Sequence, residues 1–123
     1  MQTEFNPDQD PVRQRSAGGR WFSEDDEIWE LDRNVKVNVG QVRAALLPAL
    51  RAGFTYTLAH YASTLSSKHT ANMAADLLAM LRATGSSSPD VATLLNFRAM
   101  LTRETEHKLG ALAGFLVRCD GRQ

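Results

Sequence analysis

At 123 residues the chain has material for one domain but not for two with separate cores. Its hydrophobic fraction of 43% and charged fraction of 23% are ordinary for a globular protein, and no apolar run approaches the length of a membrane span. The formal net charge of zero hides a division: residues 1–34 carry four arginines against nine acids, whereas residues 35–123 carry ten Lys and Arg against five acids.

Residues 1–19 contain Asn6-Pro7-Asp8, Asp10-Pro11 and Gly18-Gly19 with almost no large apolar side chains, and are expected to be a flexible, disordered tail. The opening residues Met1 to Phe5 lack the basic head and apolar run of a secretory signal. Residues 20–39 follow as a latch segment. Trp21-Phe22 precedes the acidic run Glu24 to Glu27; then come Ile28 to Leu31, a turn-like Asp32-Arg33-Asn34, and Val35 to Val39, which alternates apolar and polar. That pattern predicts a short β-hairpin with a three-residue link. A lone hairpin is marginal in water, so it should pack on the helices through Trp21, Trp29 and Leu31.

The helical part spans 40–120, with 121–123 read as the start of a linker. Val42, Leu46, Leu50, Phe54, Leu58, Tyr61 and Leu65 recur at helical spacing, interrupted by Pro48, which predicts a short helix near 41–47 and a main one near 49–64. Ser66-Ser67 caps a helix over 68–83, ended by Gly85. Ser88-Pro89-Asp90 reads as cap, first and second positions of a third main helix running towards Leu101. Thr102 is the expected cap of the last, with Glu104 and Glu106 in its first turn. The fold class is therefore mainly α, a bundle of four main helices behind the tail and hairpin.

On a helical wheel the last helix gathers Leu109, Leu112, Phe115, Leu116 and Cys119 on one side. Arg103, His107, Gly110, Ala111, Gly114 and Arg118 gather opposite. Each helical glycine costs about 1 kcal/mol relative to alanine, and close approach of a bulky anionic partner would offset that. The second main helix opens with Ser67, Lys68, His69, Thr70 and Asn72, where free backbone N–H groups and the helix dipole suit a phosphate. The alternative for both groups is a capped or solvated helix surface, and the Gly110–Gly114 stripe would equally accept another helix. His60 reads as a partly buried structural histidine, and Tyr56 and Tyr61 as core or rim residues. No metal-ligand spacing, nucleophile elbow or phosphate loop is present, so no catalytic, metal or cofactor site is assigned. The single cysteine, Cys119, leaves no internal disulfide and fits a reducing, cytoplasmic setting.

The span from Leu50 to Cys119 resembles the N-terminal core-binding domain, a four-helix SAM-like fold, of tyrosine recombinases and phage integrases. The resemblance is carried by Thr57-Leu58-Ala59-His60-Tyr61, by Ser67-Lys68-His69-Thr70 at a helix opening, by Leu94-Leu95-Asn96-Phe97-Arg98, and by the closing Leu112-Ala113-Gly114-Phe115-Leu116-Val117-Arg118. The Trp-rich hairpin is similar to the segment many integrases place before this domain. Ala74 stands where the family often has a tyrosine, and Cys119 where it commonly has Trp or Tyr. The resemblance implies a non-enzymatic arm that clamps duplex DNA while a separate C-terminal catalytic domain cuts and rejoins strands, with homo-oligomers on DNA as an option and no membrane partner. Under it, Ser67, Lys68, His69, Thr70, Asn72, Arg103, His107 and Arg118 are the expected nucleic-acid contacts. The alternative is a helical protein-interaction or dimerisation module using the small-residue face. The acidic run at 24–27 would, on the DNA reading, shield the basic face when DNA is absent.

Overall fold

A computed structural model describes residues 13–101 and 108–120. Two antiparallel hairpins precede five helices: β1 (Arg13–Arg15) pairs with β2 (Trp21–Ser23), and β3 (Ile28–Asp32) with β4 (Val35–Asn38). The helices are α1 (Val39–Ala45), α2 (Pro48–Thr64), α3 (Ser67–Thr84), α4 (Val91–Met100) and α5 (Lys108–Asp120). The chain is thus mainly helical, with α1 the short helix and α2 to α5 the four main ones.

Local chemistry sets the boundaries. Asn38 accepts the Gln41 N–H at 3.1 Å to start α1, and Pro48 occupies the first turn of α2, where its missing N–H costs nothing. Ser66 accepts the His69 N–H at 3.1 Å to start α3, and Gly85, at φ 70°, closes it in the left-handed conformation. The start of α4 differs from the expected Ser88 cap. Asp90 itself is the cap, its carboxylate accepting the Thr93 N–H at 3.0 Å while the Thr93 hydroxyl accepts the Asp90 N–H at 3.2 Å. That reciprocal box moves the first helical position from Pro89 to Val91. The expected Thr102 cap and its acids lie outside the described residues.

Of the tail expected over 1–19, residues 1–12 lie outside the described residues and residues 13–19 are structured. Residues 13–19 form the first arm and turn of a hairpin because they find partners: the Ser16 hydroxyl donates to the Leu31 carbonyl at 2.5 Å, and the Ala17 N–H to the Ala62 carbonyl at 2.8 Å. Gly18 is needed there, since a Cβ would collide with the Leu31 carbonyl oxygen and the Asp32 side chain. Between β3 and β4, Asp32 still pairs with Val35, so the link is Arg33-Asn34 rather than three residues, with Asn34 at φ 66°.

Alternation along β3 sends Trp29 and Leu31 inward, and both are fully buried. Trp21, expected to pack beside them, is half-exposed under the Arg15 guanidinium, 5.8 Å from its ring. Phe22 takes the inward position on β2, its ring 4.7 Å from that of Trp29. These residues join Val39, Leu58, Leu77, Met80, Leu112 and Phe115 in one core shared by hairpins and helices. The Leu31 carbonyl accepts a second hydroxyl, that of Ser67, at 3.1 Å, so one oxygen ties both hairpins to the first turn of α3.

Truncating Trp29 to alanine should lower unfolding free energy by about 3–5 kcal/mol in urea titrations. Trp29→Phe should cost far less, because the buried indole N–H has no hydrogen-bond partner to lose. A loss equal in both variants would contradict this packing. Hydrogen bonds from Thr93 hold the Asp90 carboxyl below its ordinary value of 3.8. Its contribution is present above that value and disappears as pH falls through the lower folded one. Between pH 5 and pH 2 (roughly the carboxylate range), the urea midpoint of the parent should fall more steeply than that of Asp90→Asn; parallel curves would contradict the charged cap.

Candidate nucleic-acid interface

The expected contact residues come from α3 and α5, and whether they meet depends on how those helices run past each other. Near one end His69 of α3 and Arg118 of α5 both pack on Tyr61 of α2; further along, Lys108 of α5 pairs with Asp76 of α3 at 3.2 Å. Those two crossings fix α3 and α5 as antiparallel neighbours. Asn72 lies between His69 and Asp76 on one helix, and Ala111 and Gly114 between Lys108 and Arg118 on the other.

Tyr61 is buried, and its ring organises one end of the strip. Phe115 meets it edge-on at 5.5 Å, and the His69 ring lies at 5.9 Å. The Arg118 guanidinium sits 5.5 Å from the ring centre and donates through Nη1 to the phenol oxygen at 3.0 Å. A guanidinium carries five N–H donors, so this bond leaves most of its capacity for an anion. Its place in the last turn of α5 also complements the helix dipole, a structural role that stands beside any binding one.

The small residues give the strip its depth. Ala111 is exposed, a Cβ on Gly110 would meet nothing within 4 Å, and one on Gly114 would meet only the Arg118 guanidinium at 3.7 Å. Among the described residues no segment fills the glycine face.

The eight expected contacts therefore divide. His69 and Arg118 converge on Tyr61, and Lys68 and Asn72 are exposed on the same side of α3 as His69. Ser67 and Thr70 are corrections: both are buried, their hydroxyls donating to the Leu31 carbonyl at 3.1 Å and the Ser66 carbonyl at 3.4 Å. They face the hairpin and core, out of reach of an external phosphate. Arg103 and His107 lie outside the described residues. His60, expected to be partly buried, is exposed. Sequence reasoning missed Tyr61 as the organising residue and Lys108 as a cation neutralised by Asp76; neither contact leaves a local signal, since each joins distant helices.

The acidic run does not cover this strip. Arg43 of α1 donates to the backbone carbonyls of Glu24 and Asp26, each at 2.7 Å, and lies 4.0 Å from the Glu27 carboxylate. Glu24, Asp25 and Glu27 line a hollow with Arg43, Arg51 and Thr55, about 9–15 Å along α2 from Tyr61. Backbone bonds to Arg43 hold the run there.

Among the described residues, no group of three or more His, Cys, Asp or Glu is placed to hold a metal ion, and no helix is long and apolar enough to cross a membrane. Comparison with protein-family models, curated protein sequences and solved structures returns no match.

The Tyr61–Arg118 contact is testable by a double-mutant cycle of Tyr61→Phe and Arg118→Met. Because Arg118 is exposed, the coupling should be no more than about 1 kcal/mol, but above zero, in urea unfolding. Strict additivity of the two substitutions would contradict it.

Proposed function

We propose that this chain binds duplex DNA as the N-terminal arm of a tyrosine site-specific recombinase or integrase. In this reading its four main helices form a SAM-like core-binding domain that clamps the duplex in the cytoplasm, and a separate C-terminal domain carries out cleavage and rejoining. The observation that carries the reading is the meeting of His69 and Arg118, from two helices, over Tyr61 at one end of an uncovered strip of small residues. A sugar-phosphate backbone fits such a strip. Small residues admit the bulk of the sugar, and Lys68 and Arg118 supply charge and donors to phosphate oxygens. Asn72, exposed on α3 one turn beyond His69, is the side chain assigned to a base edge in this reading.

The charge count also sets the strength. Lys108 is neutralised by Asp76, which leaves few described cations at the strip, so binding should be weak and salt-sensitive. If three phosphates are neutralised, affinity should fall about twentyfold for a threefold rise in salt.

Fluorescence anisotropy with a short labelled duplex at low salt tests the reading. Replacing Lys68 and Arg118 together by glutamate should weaken binding at least about tenfold and flatten the salt dependence. Equal affinity and equal salt slope in variant and parent would refute it.

A further inference from the structure

The opposite flank of α5 carries different chemistry. Val91, Leu94, Ala113, Leu116 and Val117 line an apolar groove between α4 and α5, closed at one end by Asp90 and Asp120. Val91 is 71% exposed, Leu95 59% and Val117 72%, so large apolar side chains stand in solvent around this groove. No cation lines it.

The pattern along α4 indicates what covers these residues. Asp90, Val91, Leu94, Leu95 and Arg98 follow the spacing of one helix face, with an acid at the start, apolar side chains in the middle and a base at the end. Asp90 and Arg98 are eight residues apart, about 12 Å along the axis. A face ordered acid, apolar, base is its own complement when a copy is laid across it antiparallel. A second α4 in that orientation brings Leu94 and Leu95 against their counterparts and Arg98 over the two carboxylates at the groove's end.

We propose that the chain self-associates through this face as a two-fold, antiparallel pair. Leu94 and Leu95 of each copy pack on those of the other beside the apolar groove, and Arg98 of each meets the other's Asp90 and Asp120. The inference is independent of the DNA reading, since Arg118 packs on Tyr61 whereas Ala113, Leu116 and Asp120 line the groove with α4. A ten-residue helix and one neighbouring groove form a surface at the small end of specific interfaces, so the pair is a weak one that forms with rising concentration.

Sedimentation equilibrium of the whole chain, from about 10 µM to 1 mM, tests this. The parent should pass from monomer to dimer. Arg98→Glu and Leu95→Glu, both at exposed positions, should each weaken association at least tenfold, with helical circular dichroism unchanged. Combining Arg98→Glu with Asp120→Arg should recover part of the loss, because the swapped charges face each other at one of the two carboxylate positions. A chain that stays monomeric throughout the range overturns the proposal. So does a dimer that either single variant leaves unaltered, including one held through the Gly110–Gly114 stripe.

Discussion

The geometry of the basic strip depends on one buried phenol. Tyr61 projects from α2 into the seam between α3 and α5, and its ring is packed by Phe115, His69 and Arg118 at once. The first turn of α3 and the last turns of α5 both pack on it. An edge-on aromatic pair contributes about 0.5–1.5 kcal/mol beyond area burial. Burial of Leu112, Phe115 and Cys119 fixes which way α5 is rotated. Once Phe115 points inward, Arg118 is directed along the α3 side, while Val117 and Asp120 turn toward α4. The buried face of α5 thereby separates a flank with Arg118 from an apolar, acid-tipped one.

The hairpins contribute by holding α3 from its other side. The Leu31 carbonyl binds the hydroxyls of Ser16 and Ser67, and Trp29 and Leu31 fill the core beneath them. This is why two of the hydroxyls at the start of α3 are spent internally and only Lys68, His69 and Asn72 remain outward. The acidic run is held by Arg43 and lies beside Arg51, away from Tyr61 and Arg118. A net charge of zero is then compatible with a locally cationic strip.

Where the chain repeats apolar residues at helical spacing, α1 to α4 are legible to within two residues, because burial of one face decides both the element and its phase. The β3–β4 hairpin was legible for the same reason at period two. What local pattern did not reveal are the contacts between distant segments. Ser16, Ala17 and Gly18 look like tail residues until the Leu31 and Ala62 carbonyls are brought to them. Ser67 and Thr70 look like phosphate donors until the hairpin is laid over them. Pro89 looked like the first residue of α4, but Asp90 and Thr93 form the tighter arrangement one position on. At the site, the two small-residue and polar faces were readable from periodicity, whereas their meeting over Tyr61 required the fold.

The most direct test of a shared anionic surface on α3 and α5 is an amide-resolved NMR titration with a short DNA duplex at low salt. Perturbed amides should cluster in Lys68 to Asn72 and Gly110 to Arg118, with the Tyr61 and Arg118 side-chain signals moving in parallel. Perturbations confined to one of the two helices, or centred on the Val91–Leu95 face, would contradict a common binding strip.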